Sequence, residues 1–67
     1  MNLKSTINKQ GKYVTQVIHF VHGEKKTIID IETATIKQGE FTKMWDRGGR
    51  LYMINPKNVL MIEVFKQ

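Results

Sequence analysis

Apolar residues in the first half of the chain follow a pattern typical of β-strands. Residues 12–22 are rich in β-branched and aromatic side chains and are followed by a glycine, so a first strand is predicted there. Residues 23–26 provide a turn, and residues 27–33 return with Ile29 and Ile31 on one face of a second strand. The two segments predict an antiparallel hairpin.

The first predicted strand carries apolar side chains on both of its faces. One face holds Val14, Ile18 and Phe20, and the other holds Tyr13, Val17 and Val21. A strand of this kind is typical of a small barrel or of a contact with a second chain.

Residues 33–45 allow two interpretations. A helix would bring its apolar residues only loosely together, and Gly39 in its middle would cost about 1 kcal/mol relative to alanine. Two strands, residues 33–36 and residues 41–45, fit the pattern better, and a short helical turn is the alternative. The second strand would show on one face Phe41, Lys43 and Trp45.

Two apolar runs near the end of the chain flank a short turn signal. A glycine-bearing loop at residues 46–49 leads into the first run, residues 50–54, and the second run spans residues 59–65. Between them lies Asn55-Pro56-Lys57-Asn58. Because proline lacks a backbone donor and biases the preceding residue toward an extended conformation, the chain must leave any sheet ladder there. The pattern predicts a β-hairpin or a β-corner.

The pattern as a whole indicates an all-β fold, a small five-stranded antiparallel barrel. The barrel would be a single domain over residues 12–67, and residues 1–11 would form a flexible basic N-terminal arm. A chain of 67 residues buries only about 60% of the surface that it exposes when unfolded. Its stability is therefore predicted to be marginal or shared with a partner.

The predicted order of strands over residues 12–65 resembles the SH3-like and Sm-like small β-barrels. Sm-like proteins join their last two strands through an Ile-Arg-Gly type signature, where this chain has Ile54-Asn55-Pro56. The Asp and Asn that the family uses before its middle turn are also unmatched, because this chain has Met44-Trp45-Asp46-Arg47 there. The resemblance therefore implies the fold, and no RNA-binding residue of the family is transferred.

A second resemblance is to uncharacterised small prophage-encoded proteins of Gram-positive bacteria. It rests on Gly-Glu-Phe-Thr-Lys-Met at residues 39–44, Gly-Gly-Arg at residues 48–50 and Asn-Pro-Lys-Asn-Val at residues 55–59 of a very short basic chain. It implies a cytoplasmic regulator or host-takeover factor, a phage protein and not a metabolic enzyme.

The charge of the chain favours acidic partners. Eleven Lys and Arg against six Asp and Glu give a formal net charge of +5, with a sequence pI near 9.8. There is no cysteine, no apolar run near the ~20 residues of a membrane span and no apolar core of a signal peptide. A cytoplasmic protein without membrane contact is expected.

A nucleic-acid site is predicted from cations in turns with aromatic residues close by. In a small barrel such turns can cluster at one rim, where cations contact phosphates and aromatic rings stack on bases. The candidate residues are Lys25, Lys26, Arg47, Arg50, Lys57, Trp45 and Tyr52. The alternative for Trp45 is a place in the core.

A protein interface is the competing prediction. The last strands carry more apolar side chains than one small core can absorb, and Met-rich surfaces adapt well to partners. The candidate interface residues are Met53, Val59, Met61 and Phe65. This interpretation predicts a protein partner or a homo-oligomer.

Enzymatic chemistry has little support in the sequence. His19 and His22 would point to opposite strand faces and have no cysteine to assist them, so no metal site is predicted. Asp30 and Glu32 have the spacing of a solvated strand face. We expect neither a catalytic residue nor a cofactor nor a small-molecule substrate.

Overall fold

The computed structural model describes residues 12–66, which form five β-strands and two short 3-10 turns. The strands are β1 Tyr13–Phe20, β2 Lys25–Glu32, β3 Thr42–Trp45, β4 Leu51–Ile54 and β5 Val59–Lys66. The predicted all-β class and number of strands are confirmed. The predicted N-terminal arm, residues 1–11, lies outside the described residues.

The strands form two antiparallel sheets. The large sheet has the order β2-β1-β5, and the small sheet pairs β3 with β4. An isolated bridge between Ile31 and Asp46 links the end of β2 to the end of β3. The ladders of the described residues do not close a barrel, so that part of the predicted fold stays a prediction.

The first half of the ambiguous segment is a 3-10 turn, Thr33–Thr35, and the strand predicted over residues 33–36 is wrong. The Thr35 hydroxyl donates to the Glu32 carbonyl at 2.7 Å, and it accepts the backbone N–H of Trp45 at 3.0 Å. Because a threonine hydroxyl can satisfy backbone groups locally, it offers the chain an alternative to a strand ladder. The helical turn is the interpretation that holds here, and β3 follows as predicted.

A bulge in β2 changes which of its side chains face the core. Val14 pairs with Ile31 and Gln16 with Ile28, so two β2 residues lie opposite Thr15 alone. One of these two, Asp30, has a φ of 57°, the left-handed conformation found in bulges. The regular alternation of side chains along a strand predicts Ile29 and Ile31 on the same face, and this prediction is wrong.

The two faces around this bulge differ in burial. Ile28 and Ile31 are both buried, whereas Ile29 is 63% exposed. The extra residue shifts the side-chain alternation by one position, because every residue of a strand points to the face opposite that of its neighbour.

The turn before β5 is a corner between the sheets and not a hairpin. β4 pairs with β3, whereas β5 pairs with β1. The Asn55 side chain accepts the backbone N–H of Lys57 at 3.0 Å and caps the 3-10 turn Pro56–Asn58. Asn55 itself is extended, as expected for a residue before proline.

The core lies where the small sheet covers β1 and β2. It consists of Val14, Ile18, Ile28, Ile31 and Met44. The partly buried side chains packed against it are Phe20, Ile36, Tyr52, Ile54 and Val59. Among the described residues, no helix has the length and apolar character needed to cross a membrane.

Candidate functional site

Three of the predicted nucleic-acid residues lie at the end of the large sheet where β1 finishes. Lys25 and Lys26 are the first two residues of β2 and are exposed. Lys57 lies in the turn before β5 and reaches the same end, because the neighbouring Asn58 carbonyl accepts the backbone N–H of Val21 at 2.8 Å.

Arg47 lies at the opposite end of β1. Its guanidinium carbon is 4.0 Å from the centre of the Tyr13 ring, and its Nε is 3.8 Å from Oδ2 of Asp30. Its backbone N–H donates to the Asp30 carbonyl at 2.9 Å. The side chain is therefore engaged within the fold, where it ties the β3–β4 loop to the bulge of β2.

The predicted basic rim is consequently divided into two groups. Lys25 is the cross-strand partner of His19 near the end of β1. Arg47 stacks on Tyr13 at the start of β1, six residues before His19. At the rise of an antiparallel strand, these six residues correspond to roughly 20 Å. A ligand would have to extend along most of β1 to contact both groups.

The two predicted aromatic residues lie on opposite faces of the small sheet. Tyr52 is half-buried against the core, and its hydroxyl donates to Oδ2 of Asp46 at 3.0 Å. Trp45 is 43% exposed on the outer face, so it is not a core residue. Trp45 is therefore more accessible to a partner than the half-buried Tyr52 ring.

Asp46 is held as a carboxylate by the loop around it. The backbone N–H of Arg50 donates to Oδ1 at 2.9 Å and is the largest cause of a lowered Asp46 pKa. Partial loss of hydration opposes this effect, and the Tyr52 hydroxyl, the backbone N–H of Gly48 and the Arg50 charge add to it. The Asp46 carboxylate thereby fixes the β3–β4 loop from which Arg47 extends.

The outer face of the small sheet is an aromatic and apolar surface that contains a lysine. Cross-strand pairs on this face join Lys43 to Met53 and Trp45 to Leu51. All four side chains are exposed. Phe41, 40% exposed, adjoins them across an open cavity of about 360 Å³ that is also lined by Lys43 and Met53.

The edge strand β5 forms a second exposed apolar surface. Its large side chains are between 39% and 70% exposed, and they are Leu60, Met61, Ile62, Val64 and Phe65. Within residues 12–66, β5 pairs with β1 alone, so its other edge has no ladder partner there.

The predicted interface residues are distributed over three places. Met61 and Phe65 are exposed on β5, Met53 belongs to the outer face of the small sheet, and Val59 packs against the core. Sequence reasoning missed the other exposed members of β5, which are Leu60, Ile62 and Val64. Their alternation is indistinguishable from that of a covered strand, so no local signal could have identified them.

A cavity of about 180 Å³ separates the small sheet from β5. It extends from Thr42 and Met44 on β3 to Val59 and Ile62 on β5. The cavity exists because β4 ends at the corner without pairing with β5. As a result the inward face of β5 is covered only in part.

The histidines make separate contacts. His19 Nε2 is 2.8 Å from Oε1 of Glu63, and His22 Nε2 is 3.1 Å from Oε1 of Glu24. The described residues contain no group of three His, Cys, Asp or Glu side chains that could hold a metal ion.

Comparison with protein-family models, curated proteins and solved structures finds no match for this chain.

Proposed function

We propose that this chain is a small non-enzymatic binding module that self-associates through β5. The observation that supports it best is the run of five large exposed apolar side chains on a strand whose second edge has no partner among residues 12–66. An edge strand presents unpaired N–H and C=O groups that form a template for another strand. Proteins usually protect such edges with charge, and β5 has only two charged residues, Glu63 and Lys66.

The β5 sequence is self-complementary in one antiparallel register. When two copies pair about Ile62, the opposite pairs are Ile62 with Ile62, Met61 with Glu63, and Leu60 with Val64. The regular pairing ends there, because β5 has a bulge between Met61 and Val59, and Val59 packs against the core. Apolar and β-branched cross-strand pairs of this kind stabilise a sheet. The register also keeps the inward faces of both copies on the same side of a six-stranded sheet.

Charge disfavours the neighbouring register. Centring the pair on Glu63 would place the two Glu63 carboxylates directly opposite each other, which is destabilising. The same shift would set Lys66 against the apolar Leu60. The register about Ile62 avoids both contacts. A register about Met61 would set the charged Glu63 opposite Val59, which packs against the core, so the register about Ile62 is the one we propose.

Self-association would also add buried apolar surface to a protein whose core is small. Five buried apolar side chains are few for an independent domain. The predicted barrel is the competing way to cover β5, since pairing β4 with β5 would fill the cavity of about 180 Å³. A barrel would leave the chain monomeric, so the oligomeric state distinguishes the two.

The experiment is light scattering after size-exclusion chromatography over a range of concentrations. We expect a dimer that dissociates on dilution. Met61→Glu should abolish it, because each new carboxylate would face Glu63 of the other copy, whereas Met61→Lys should keep or strengthen it through two opposite-charge pairs. Val21→Lys is the control, because Val21 is 59% exposed and lies outside β5.

Two results would contradict the proposal. The first is a wild-type chain that stays monomeric at every concentration. The second is equal dissociation of Met61→Glu and Met61→Lys, which would exclude this register. Circular dichroism of both variants establishes that the fold is kept.

Nucleic-acid binding at a single basic rim receives less support. Its cations are divided between the two ends of β1, and Arg47 is engaged by Tyr13 and Asp30. The aromatic residue of that set that is accessible, Trp45, lies on a different surface.

A further inference from the structure

The outer face of the small sheet combines features that the self-association of β5 does not use. Phe41, Lys43 and Trp45 alternate along the chain, so an aromatic ring, a cation and a second aromatic ring follow one another. Lys43 and Trp45 lie on the same face of β3, roughly 6.8 Å apart, and Phe41, which directly precedes β3, lines an open cavity together with Lys43. Met53 and Leu51 extend this surface on β4 as the cross-strand partners of Lys43 and Trp45.

A second lysine adjoins the first. Lys37 and Lys43 exchange two backbone hydrogen bonds, of 2.9 and 3.0 Å, across an isolated bridge. Neither ammonium group forms an ion pair within the described part of the chain. Glu40 is the acidic side chain that lines the same cavity. The surface therefore keeps a local excess of positive charge beside exposed rings.

We propose that this outer face binds single-stranded nucleic acid, with bases stacked on Phe41 and Trp45 and phosphates at Lys37 and Lys43. Aromatic rings on a sheet surface stack on unpaired bases, and neighbouring cations contact the backbone between them. The net charge of +5 adds a general attraction for a polyanion.

A single strand fits this surface better than a duplex. Stacking on a protein ring requires bases whose faces are free, and a duplex already stacks them on each other. The two-stranded sheet offers an open face.

The first test uses Trp45, the only tryptophan of the chain, as its own probe. Oligothymidylate of twelve residues is titrated into the protein at low salt while tryptophan emission is followed. We expect strong quenching by the single strand and weak quenching by a hairpin duplex of the same charge. Two phosphate contacts predict a slope of log K against log[salt] of about −1.4.

The second test measures anisotropy of a labelled oligothymidylate with matched variants. Trp45→Leu should weaken binding roughly 5- to 150-fold, the loss expected for one stacked base. Lys43→Gln should weaken it more than Lys25→Gln, which removes the same charge from an exposed site at the far end of the large sheet. Val21→Thr, a neutral change at an exposed residue outside this surface, should bind as well as the wild type.

Three results would overturn the proposal. One is unchanged emission at millimolar oligonucleotide, which would leave a protein as the occupant of this face. Another is equal weakening by Lys43→Gln and Lys25→Gln, which would indicate general attraction without a site. The third is tighter binding of the duplex than of the single strand.

Discussion

The guanidinium group of Arg47 lies over the ring of Tyr13, with 4.0 Å between the guanidinium carbon and the ring centre. Arg47 follows β3 and Tyr13 opens β1, so the contact joins the loop of the small sheet to the large sheet. A cation over a ring at a partly exposed site contributes about 0.5–1 kcal/mol.

Arg47→Ala should therefore lower the free energy of unfolding by about 0.5–1 kcal/mol. Arg50→Ala is the control and should change it by less than about 0.5 kcal/mol, since the hydrogen bond of Arg50 to Asp46 is made by the backbone and its exposed side-chain charge adds only a weak attraction. A double-mutant cycle with Tyr13→Leu, measured by urea unfolding, isolates the pair. Additive effects of the two substitutions would show that the contact contributes nothing.

The bulge residue Asp30 provides a prediction about the backbone. Asp30 has a φ of 57°. At this φ a residue with a Cβ atom is strained by about 1–2 kcal/mol, and glycine avoids this strain. Asp30→Gly should therefore be more stable than Asp30→Ala, although alanine is the better residue in an ordinary strand. Both variants lose the contact with Arg47, so thermal unfolding of the two compares the backbone alone. Greater stability of the alanine variant would contradict the left-handed conformation.

The bulge in β2 shows which features of the fold could be predicted from the sequence and which could not. Runs of β-branched residues and glycine-marked turns identify the strands, because those signals are local. The extra residue opposite Thr15 has no such signal, since Ile28-Ile29-Asp30-Ile31 reads equally well as a regular strand. Its position depends on β1 and on the loop that docks through Arg47, and both are distant in sequence.

The candidate surfaces also have some features that could be predicted from the sequence and others that could not. The shared face of Lys43 and Trp45 could be predicted, because alternation along a strand is a local property. The engagement of Arg47 and the exposure of Leu60 could not, because they depend on how the two sheets meet.

Ile28 and Ile29, which are adjacent in β2, provide a test of the side-chain alternation that the bulge shifts. Ile28→Val should cost about 0.5–1.5 kcal/mol, because it removes a methylene from a side chain that is 3% exposed. Ile29→Val should change stability by less than about 0.5 kcal/mol, because Ile29 lies largely in solvent. Each variant keeps a β-branched residue, so strand propensity is matched. Urea unfolding with the opposite ranking would mean that the alternation of β2 is regular.

The lowered pKa of Asp46 predicts how the stability of the protein depends on pH. The backbone N–H of Arg50 is the main cause that holds its pKa below the ordinary value of 3.8. Between the folded pKa and 3.8 the unfolded chain binds more protons than the folded chain, so stability rises with pH in that interval. The contribution of the carboxylate is fully present above pH 3.8 and is lost as the pH falls through the folded pKa.

Asp46→Asn removes this titration while it leaves an oxygen that can accept the Arg50 N–H. The stability advantage of the wild type over the variant should be constant from about pH 7 to pH 5 and should shrink below pH 3.8. Thermal unfolding followed by circular dichroism at a series of pH values measures the difference. Because every other carboxylate is common to both proteins, their titrations cancel in the comparison. An advantage that grows as the pH falls would mean that folding raises the Asp46 pKa, contrary to the hydrogen bonds around it.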